Sequence, residues 1–290
     1  MSKTNLDPIT VEIIQSSLQA ACDEMFIAMR KTAMSAIIYE VLDFGTAVTD
    51  SKGDIAASGA GIPAFIAMCD KAVQAVIKKF DESEIHPGDV FATNDPYNGG
   101  VTHLNDVIVV MPVFSESERI AWTANIAHWP DLGGMAPGGI SADATEIFQE
   151  GLQLPVIKMI EKGKPIQAVL DIIISNSRVP QYTQGDMWSA ISSIRVGEKR
   201  ILDIANKYGK SVFTQSVDLF MNYGEQASLD ALKNIPAGKY HGEDLLDDGR
   251  KIQVDVTINE KEVIVDLRNN PKQDKGPNNA SYDGTVVAAQ

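Results

Sequence analysis

Two of the four histidines of this chain and three well-placed aspartates share one stretch, Asn94 to Gly139, which reads NDPYNGGVTHLNDVIVVMPVFSESERIAWTANIAHWPDLGGMAPGG. They are His103, His128, Asp95, Asp106 and Asp131. Neutral imidazole together with carboxylate is a common protein ligand set for a catalytic Zn, Mn or Fe ion that keeps positions open for water or substrate. His103, Asp106 and His128 are the candidate ligands. The spacing alone is weak evidence, because one histidine near a strand end is commonly a surface or hydrogen-bonded residue.

The segments between these residues strengthen the reading. Val107–Phe114 and Arg119–Ile126 are apolar and strand-like, and Ser115–Glu118 is a short polar connector, the pattern of a β-hairpin. Folding back at the connector sets the start of the first strand beside the end of the second. Asp106 and His128 are therefore expected as cross-strand neighbours, with His103 curling over the same end. The glycine pairs Gly99-Gly100, Gly133-Gly134 and Gly138-Gly139 flank the stretch and let the backbone turn tightly and approach a ligand. Asp95 and Asp131 are candidates to orient the imidazoles from behind; Asp95, ahead of Pro96, reads equally well as a turn aspartate.

A further carboxylate, Asp43, stands between Leu42 and Phe44 just before a strand. A carboxylate in an apolar setting needs a partner or a proton. Asp43 is a candidate fourth metal ligand or general base, with an ordinary turn or helix-end carboxylate as the alternative. His86, ahead of Pro87-Gly88, and His241, in a Gly-rich turn, are not expected to be ligands.

The 290 residues suffice for one large or two ordinary domains. A net charge of −14 argues against nucleic acid and anionic membrane surfaces as partners, and no apolar run reaches a membrane span. The first ten residues lack a signal-peptide core. Cys22 and Cys69 form neither a disulfide framework nor a zinc pattern and sit within apolar helical patterns, so both read as buried thiols of a cytoplasmic protein.

Helices are expected over Thr10–Ser35, Phe65–Phe80, Asp186–Tyr208 (with Gly209 as its stop) and Ser211–Lys233, and a short one over Asp143–Glu150. Asp171–Ser177 reads as a strand or a helix end. Short strands are expected at Thr46–Thr49 and Ile55–Ala57 around an Asp-Ser-Lys-Gly turn, and at Val90–Thr93. Ile252–Ile258 and Val263–Leu267 alternate as a second hairpin with one face buried. The fold class is thus α+β, with mostly antiparallel sheets, packed helices and a metal site at the end of the central hairpin. Residues 1–235 form the expected metal-binding region. Residues 236–290 begin a β-rich one, whose last apolar residues, Val286 to Ala289, read as entering a part carried elsewhere. There is no GxxxxGK[ST] phosphate loop, no HExxH and no GxSxG.

The stretches LDFGTAVTDSKGDIAA, NDPYNGGVTHLNDVIVVMPVF, AHWPDLGGMAPGG, EIFQEGLQLP, NSRVPQYTQGDMWSAI and DKGPNNASYDG follow one another along the chain from about Asp7 to its last residue. In that order they resemble the hydantoinase B family: the B-type subunits of ATP-dependent N-methylhydantoinases, the matching half of 5-oxoprolinase, caprolactamase, and the larger subunits of acetone and acetophenone carboxylases. The resemblance implies a metal at His103, Asp106 and His128, with Asp43 implicated in some members. It implies a hetero-oligomer with an A-type subunit of actin-like ATPase fold, which uses ATP and Mg to phosphorylate the substrate oxygen. The leading expectation is a ring-opening hydrolase of a cyclic amide, with His128 and Asp43 at the chemistry and Asp131 behind them. The alternatives are an ATP-dependent ketone carboxylase and a non-catalytic assembly subunit. Hydrolase-type members carry two adjacent histidines where this chain has His128-Trp129, which bears on the reaction type. The B-type subunits of the family are also about twice as long as this chain.

Overall fold

A computed structural model describes residues 6–139 and 141–290. In chain order the elements are helices α1 (Pro8–Thr32) and α2 (Ala36–Tyr39), strands β1 (Phe44–Asp50) and β2 (Ile55–Gly61), helices α3 (Pro63–Ile66) and α4 (Cys69–Lys79), and strands β3 (Val90–Thr93), β4 (Asp106–Ser115) and β5 (Glu118–His128). Strands β6 (Ile157–Glu161) and β7 (Lys164–Pro165), helices α5 (Gln167–Ser175), α6 (Pro180–Tyr208) and α7 (Lys210–Leu232), strands β8 (Gly238–Leu245), β9 (Lys251–Ile258) and β10 (Val263–Asp266), and helix α8 (Tyr282–Ala289) complete the chain. Among the described residues no helix is long and apolar enough to cross a membrane.

The larger sheet has seven strands in the order β2-β1-β5-β4-β3-β6-β7, every neighbouring pair antiparallel. Helices cover both faces. Val107, Val109, Met111 and Val113 of β4 pack into one apolar cluster with Leu18 and Met25 of α1 and Ile191 and Ile194 of α6. Ile108 and Val110, with Trp122 and Ile126 of β5, face the other way, into a cluster with Phe65 of α3 and Val73 and Val76 of α4. This period-two division is what a pleated strand buried on both sides dictates. Each fully buried Val or Ile contributes roughly 1.5–3 kcal/mol. Because both faces are apolar, burial alone would tolerate a one-residue slip; the polar residues at the strand ends would not, since a slip moves Asp106 to the α1/α6 face.

The α+β architecture with antiparallel sheets and packed helices matches the expectation, and several boundaries differ for local reasons. Helix α1 stops at Thr32 rather than Ser35 because the buried Asp186 on α6 accepts the Met34 and Ser35 amides at 2.7 and 3.2 Å, drawing the chain out of the helix. The expected Phe65–Phe80 helix is broken at Ala67–Met68 into α3 and α4, with Phe65, Met68 and Cys69 all buried on the sheet. Asp143–Glu150 supplies only a 3-10 turn at Ile147–Gln149. Asp171–Ser177 is the end of α5, and α6 begins at Pro180, a residue suited to a first helical position.

Strands β6 to β8 have no counterpart in the sequence reading. His241 lies on β8 rather than in a turn, its Nδ1 2.8 Å from Asp255. Strand β8 joins the second hairpin in a three-stranded sheet in the order β10-β9-β8. None of its strand residues is buried, so the expected buried face is absent. Val286 to Ala289 lie on α8, where Val287 joins the α3/α4 cluster.

Helix α6 packs closely on α1 and β5 at Gly197. A Cβ there would collide with Met25 Sδ and lie 2.8 Å from Thr123 Cγ2. Gly197→Val should lower the stability read by chemical denaturation by about 1–3 kcal/mol, the usual cost of overpacking a filled core.

Candidate functional site

Three neighbouring strands end at one place. Asp106, the first residue of β4, is the register partner of His128, the last of β5. On the other side of β5, Phe44 pairs with Ala127, and the His128 amide donates to the Asp43 carbonyl at 3.0 Å. Asp43, His128 and Asp106 therefore form one rank across β1, β5 and β4. Phe44, Ala127 and Val107, the next rank, all face the α1/α6 cluster; alternation turns Asp106 and His128 to the opposite face. Leu42, immediately before Asp43, has a φ of 63°, a left-handed backbone uncommon for a branched side chain.

His103 reaches the same end from the loop before β4. The Asp106 amide donates to the His103 carbonyl at 3.1 Å, and the Asn105 amide donates to His103 Nδ1 at 3.2 Å. With Nδ1 accepting, the proton of neutral His103 sits on Nε2, 3.6 Å from Asp106 Oδ2. The same carboxylate oxygen accepts the Thr102 hydroxyl. The two imidazoles meet edge to face, centroids 5.1 Å apart and planes at 69°. Asn105 ties the loop to the end of β5: its Nδ2 donates to the Trp129 carbonyl at 2.9 Å, and its carbonyl accepts the Trp129 amide at 2.8 Å.

Burial controls the charges. It pushes the Asp106 carboxyl up to about 6, against the Thr102 hydrogen bond and the His128 charge, which pull it down. Burial lowers the pKa of His103, opposed by Asp43, and that of His128, opposed chiefly by Asp106. Both shifts favour the neutral rings. Asp106 Oδ1 and His128 Nδ1 are buried without a hydrogen-bond partner. Each such atom costs roughly 1–3 kcal/mol. Among the described residues, no group of three or more His, Cys, Asp and Glu side chains is placed to hold a metal ion. The donors nevertheless suit a divalent cation: two neutral imidazoles, an ionisable buried carboxylate, and two unsatisfied atoms that such an ion would engage.

The remaining predicted residues lie close by in other settings. Asp131 bonds to neither imidazole. Its oxygens accept the Gly133 and Gly138 amides, the Arg178 amide and Arg178 Nη1, each at 3.0 Å. The Arg178 guanidinium also donates to the Gly133 and Gly134 carbonyls, so Asp131 and Arg178 together clamp the glycine-rich loop below His128. Asp95 is the turn aspartate of the two readings, its Oδ1 accepting the Tyr97 amide at 2.8 Å. Sequence reasoning missed Arg178 and Asn105, although both lie inside the family-like stretches; nothing in their spacing shows that they grip a loop. Trp129 is fully buried in the α1/α6 cluster, so the residue after His128 faces away from the site.

A cavity of about 890 Å³ opens beside His103. Thr102, His103 and Asn105 form one wall, Tyr97 and Ser141 to Glu150 the next, and the segment from Leu246 to Thr285 the third. Helix α8 closes on the first wall, since a Cβ at Gly284 would meet Thr102 Cγ2 at 3.6 Å.

Burial raises the Asp131 carboxyl, but the hydrogen bonds from Arg178, Gly138 and Gly133 outweigh it and the net pKa is lowered. A carboxyl lowered by folding adds stability in full above its unfolded value of about 4 and loses it as pH falls through the folded value. Asp131→Ala should therefore destabilise by about 2 kcal/mol at pH 7, through three amides left without their acceptor, and by less as pH falls below about 4. Hydrogen exchange at pH 7 should show the added mobility confined to the loop after Asp131.

A family model described as hydantoinase B/oxoprolinase matches residues 7–290. An uncharacterised protein of Methanocaldococcus jannaschii is 35% identical over 288 residues, 98% of this chain and 51% of that protein. The B-type subunit of a putative D-/L-hydantoinase from a Pseudomonas species is 32% identical, over 98% of this chain and 50% of its own length. The crystal structure of the ATP-dependent caprolactamase of Pseudomonas jessenii superposes with a TM-score of 0.92 at 28% identity, covering 98% of this chain and 50% of that one. The nucleotide-free acetone carboxylase structure shares the fold, with a TM-score of 0.86 at 19% identity over 97% of this chain and 40% of that one. The chain spans about half the length of these two curated relatives. By sequence along its whole matched length and by fold, it belongs to the hydantoinase B/oxoprolinase family.

Proposed function

We propose that this chain carries the metal-dependent half-site of an ATP-dependent hydrolase that opens a cyclic amide such as a hydantoin or lactam. The observation behind the reading is the rank Asp43–His128–Asp106 with His103 beside it, holding two buried polar atoms without partners in a member of this family. His103, His128 and Asp106 are the proposed ligands of a Zn, Mn or Fe ion. A bound cation there would supply Lewis acidity, making water acidic enough to attack near neutral pH.

The chain's own residues do the rest. Burial favours the neutral form of both imidazoles, and His128 Nδ1 is without a partner. Asp106 contributes the charge, with the Thr102 hydroxyl and the His103 ring holding its Oδ2 in place. Asp43, at the adjoining strand end, is a further ligand or the base that takes a proton from the attacking water. Asp131 and Arg178 hold the loop beneath His128. ATP and Mg enter through a partner, an A-type ATPase subunit in a hetero-oligomer, which activates the amide oxygen; this chain has no phosphate loop of its own. Two relatives are named as single subunits of larger enzymes, one of a hydantoinase and one of a caprolactamase, which supports that division of labour.

The relatives named hydantoinase, caprolactamase and 5-oxoprolinase are amide hydrolases by name, and they favour hydrolysis over carboxylation. Trp129 lends the carboxylase no support, because its side chain lies across the sheet from the site. In the assembled complex, ATP turnover should depend on hydantoin, 5-oxoproline or caprolactam and yield the ring-opened acid. Asp106→Asn should lower it at least a hundredfold. Bicarbonate-dependent turnover with a ketone, and none with any cyclic amide, would remove the hydrolase reading.

Metal binding has a readout separate from activity. An ion at about a hundred times its dissociation constant should stabilise the folded chain by about 2.7 kcal/mol, seen as a rise in melting temperature with Zn, Mn or Fe. His128→Ala should abolish that rise.

A further inference from the structure

Three carboxylates line the cavity beside His103: Glu146, Glu150 and Asp274. Glu146 is exposed to solvent, and Asp274 is paired with Arg250 at 2.5 Å and accepts the Gly276 amide. The Glu150 carboxylate has neither a hydrogen bond nor an ion pair among the described residues, and burial alone acts on it, raising its pKa. A half-buried carboxyl without a partner, facing a cavity, is placed to exchange a proton with a molecule bound there.

Its backbone is held as a site residue's should be. The Met135 amide donates to the Gln149 carbonyl at 2.6 Å, and the Leu152 amide to the Leu132 carbonyl at 2.8 Å, so the segment around Glu150 is laced to the glycine-rich loop. At Gly134, whose φ is +82°, a Cβ would meet the Glu150 carbonyl oxygen at 2.6 Å; only glycine allows that approach. Arg178 and Asp131 clamp the same loop directly after His128. One rigid connection thus runs from the end of β5 to Glu150, and it sets the carboxyl on the cavity that His103 also lines.

Resting on the proposed hydrolysis, we infer that Glu150 is the acid that protonates the departing ring nitrogen. As the C–N bond breaks, its electron pair goes to nitrogen, which takes the Glu150 proton. The carboxylate left behind regains a proton from solvent before the next turnover; the oxygen added to carbon comes from water, and a second water cleaves the acyl phosphate so formed, releasing the phosphoryl group as inorganic phosphate. Neither oxidant nor reductant is required.

The test uses the complex assembled with its ATPase partner, with caprolactam and hydantoin as probes. Glu150→Gln, nearly isosteric, should lower kcat about a hundredfold with KM little changed, as loss of a general acid does. Glu150→Asp should recover part of kcat. Metal content and assembly should match the wild type in both variants. Activity of Glu150→Gln within about threefold of wild type, or a loss confined to KM, overturns the role of Glu150 while leaving the proposed function standing. A wild-type complex that opens neither ring overturns the proposed function, and this inference with it.

Discussion

The pairing of Asp106 with His128 across the β4–β5 hairpin is the constraint from which the site follows. Antiparallel geometry makes the start of one strand and the end of the other neighbours, and ten residues of β4 against eleven of β5, buried on both faces, hold them in that register. β1 then lies along the free side of β5 and adds Asp43 to the rank. Residues more than sixty positions apart in the chain meet because three strands end together, and no flexible segment has to find its place for them to do so.

This convergence carries an electrostatic cost. A fully buried carboxylate with one oxygen unpartnered and a buried imidazole nitrogen without a partner are unfavourable unless something else engages them. The surrounding structure sustains that cost. The apolar layers on either side keep the strands in register, the Asn105–Trp129 bridge closes the strand ends, and the Asp131–Arg178 clamp braces the loop beneath. Polar groups that serve only the fold, such as Asp50 accepting the amides of the β1–β2 turn, have their bonds supplied by the backbone. The orphaned atoms at the strand ends belong to the two residues nearest the His103 ring.

The hairpin and its convergent residues were legible because apolar runs of strand length bracketed a short polar connector, so the register followed from counting. Asp43 was legible as a carboxylate in apolar company, though its strand's place beside β5 was not, since sheet order depends on long-range packing. Strand β8 was missed because Lys239 to Asp244 is polar, lies on an exposed sheet and shows no alternation to read. The role expected of Asp131, orienting an imidazole, gave way to loop bracing because its partner Arg178 is 47 positions away and enters through the start of α6. The meaning of His128-Trp129 emerged only with the sheet, in which consecutive residues face opposite layers.

The central claim is that one divalent cation sits at the joint ends of β1, β5 and β4. The most direct measurement is a crystal structure of the metal-loaded protein with anomalous scattering data collected at the absorption edge of the bound metal. The account predicts one strong anomalous peak within about 2.0–2.3 Å of nitrogen atoms of both His103 and His128 and of an Asp106 carboxylate oxygen. A fully loaded protein with no peak there, or with its peak at a position these three side chains do not reach, would contradict it.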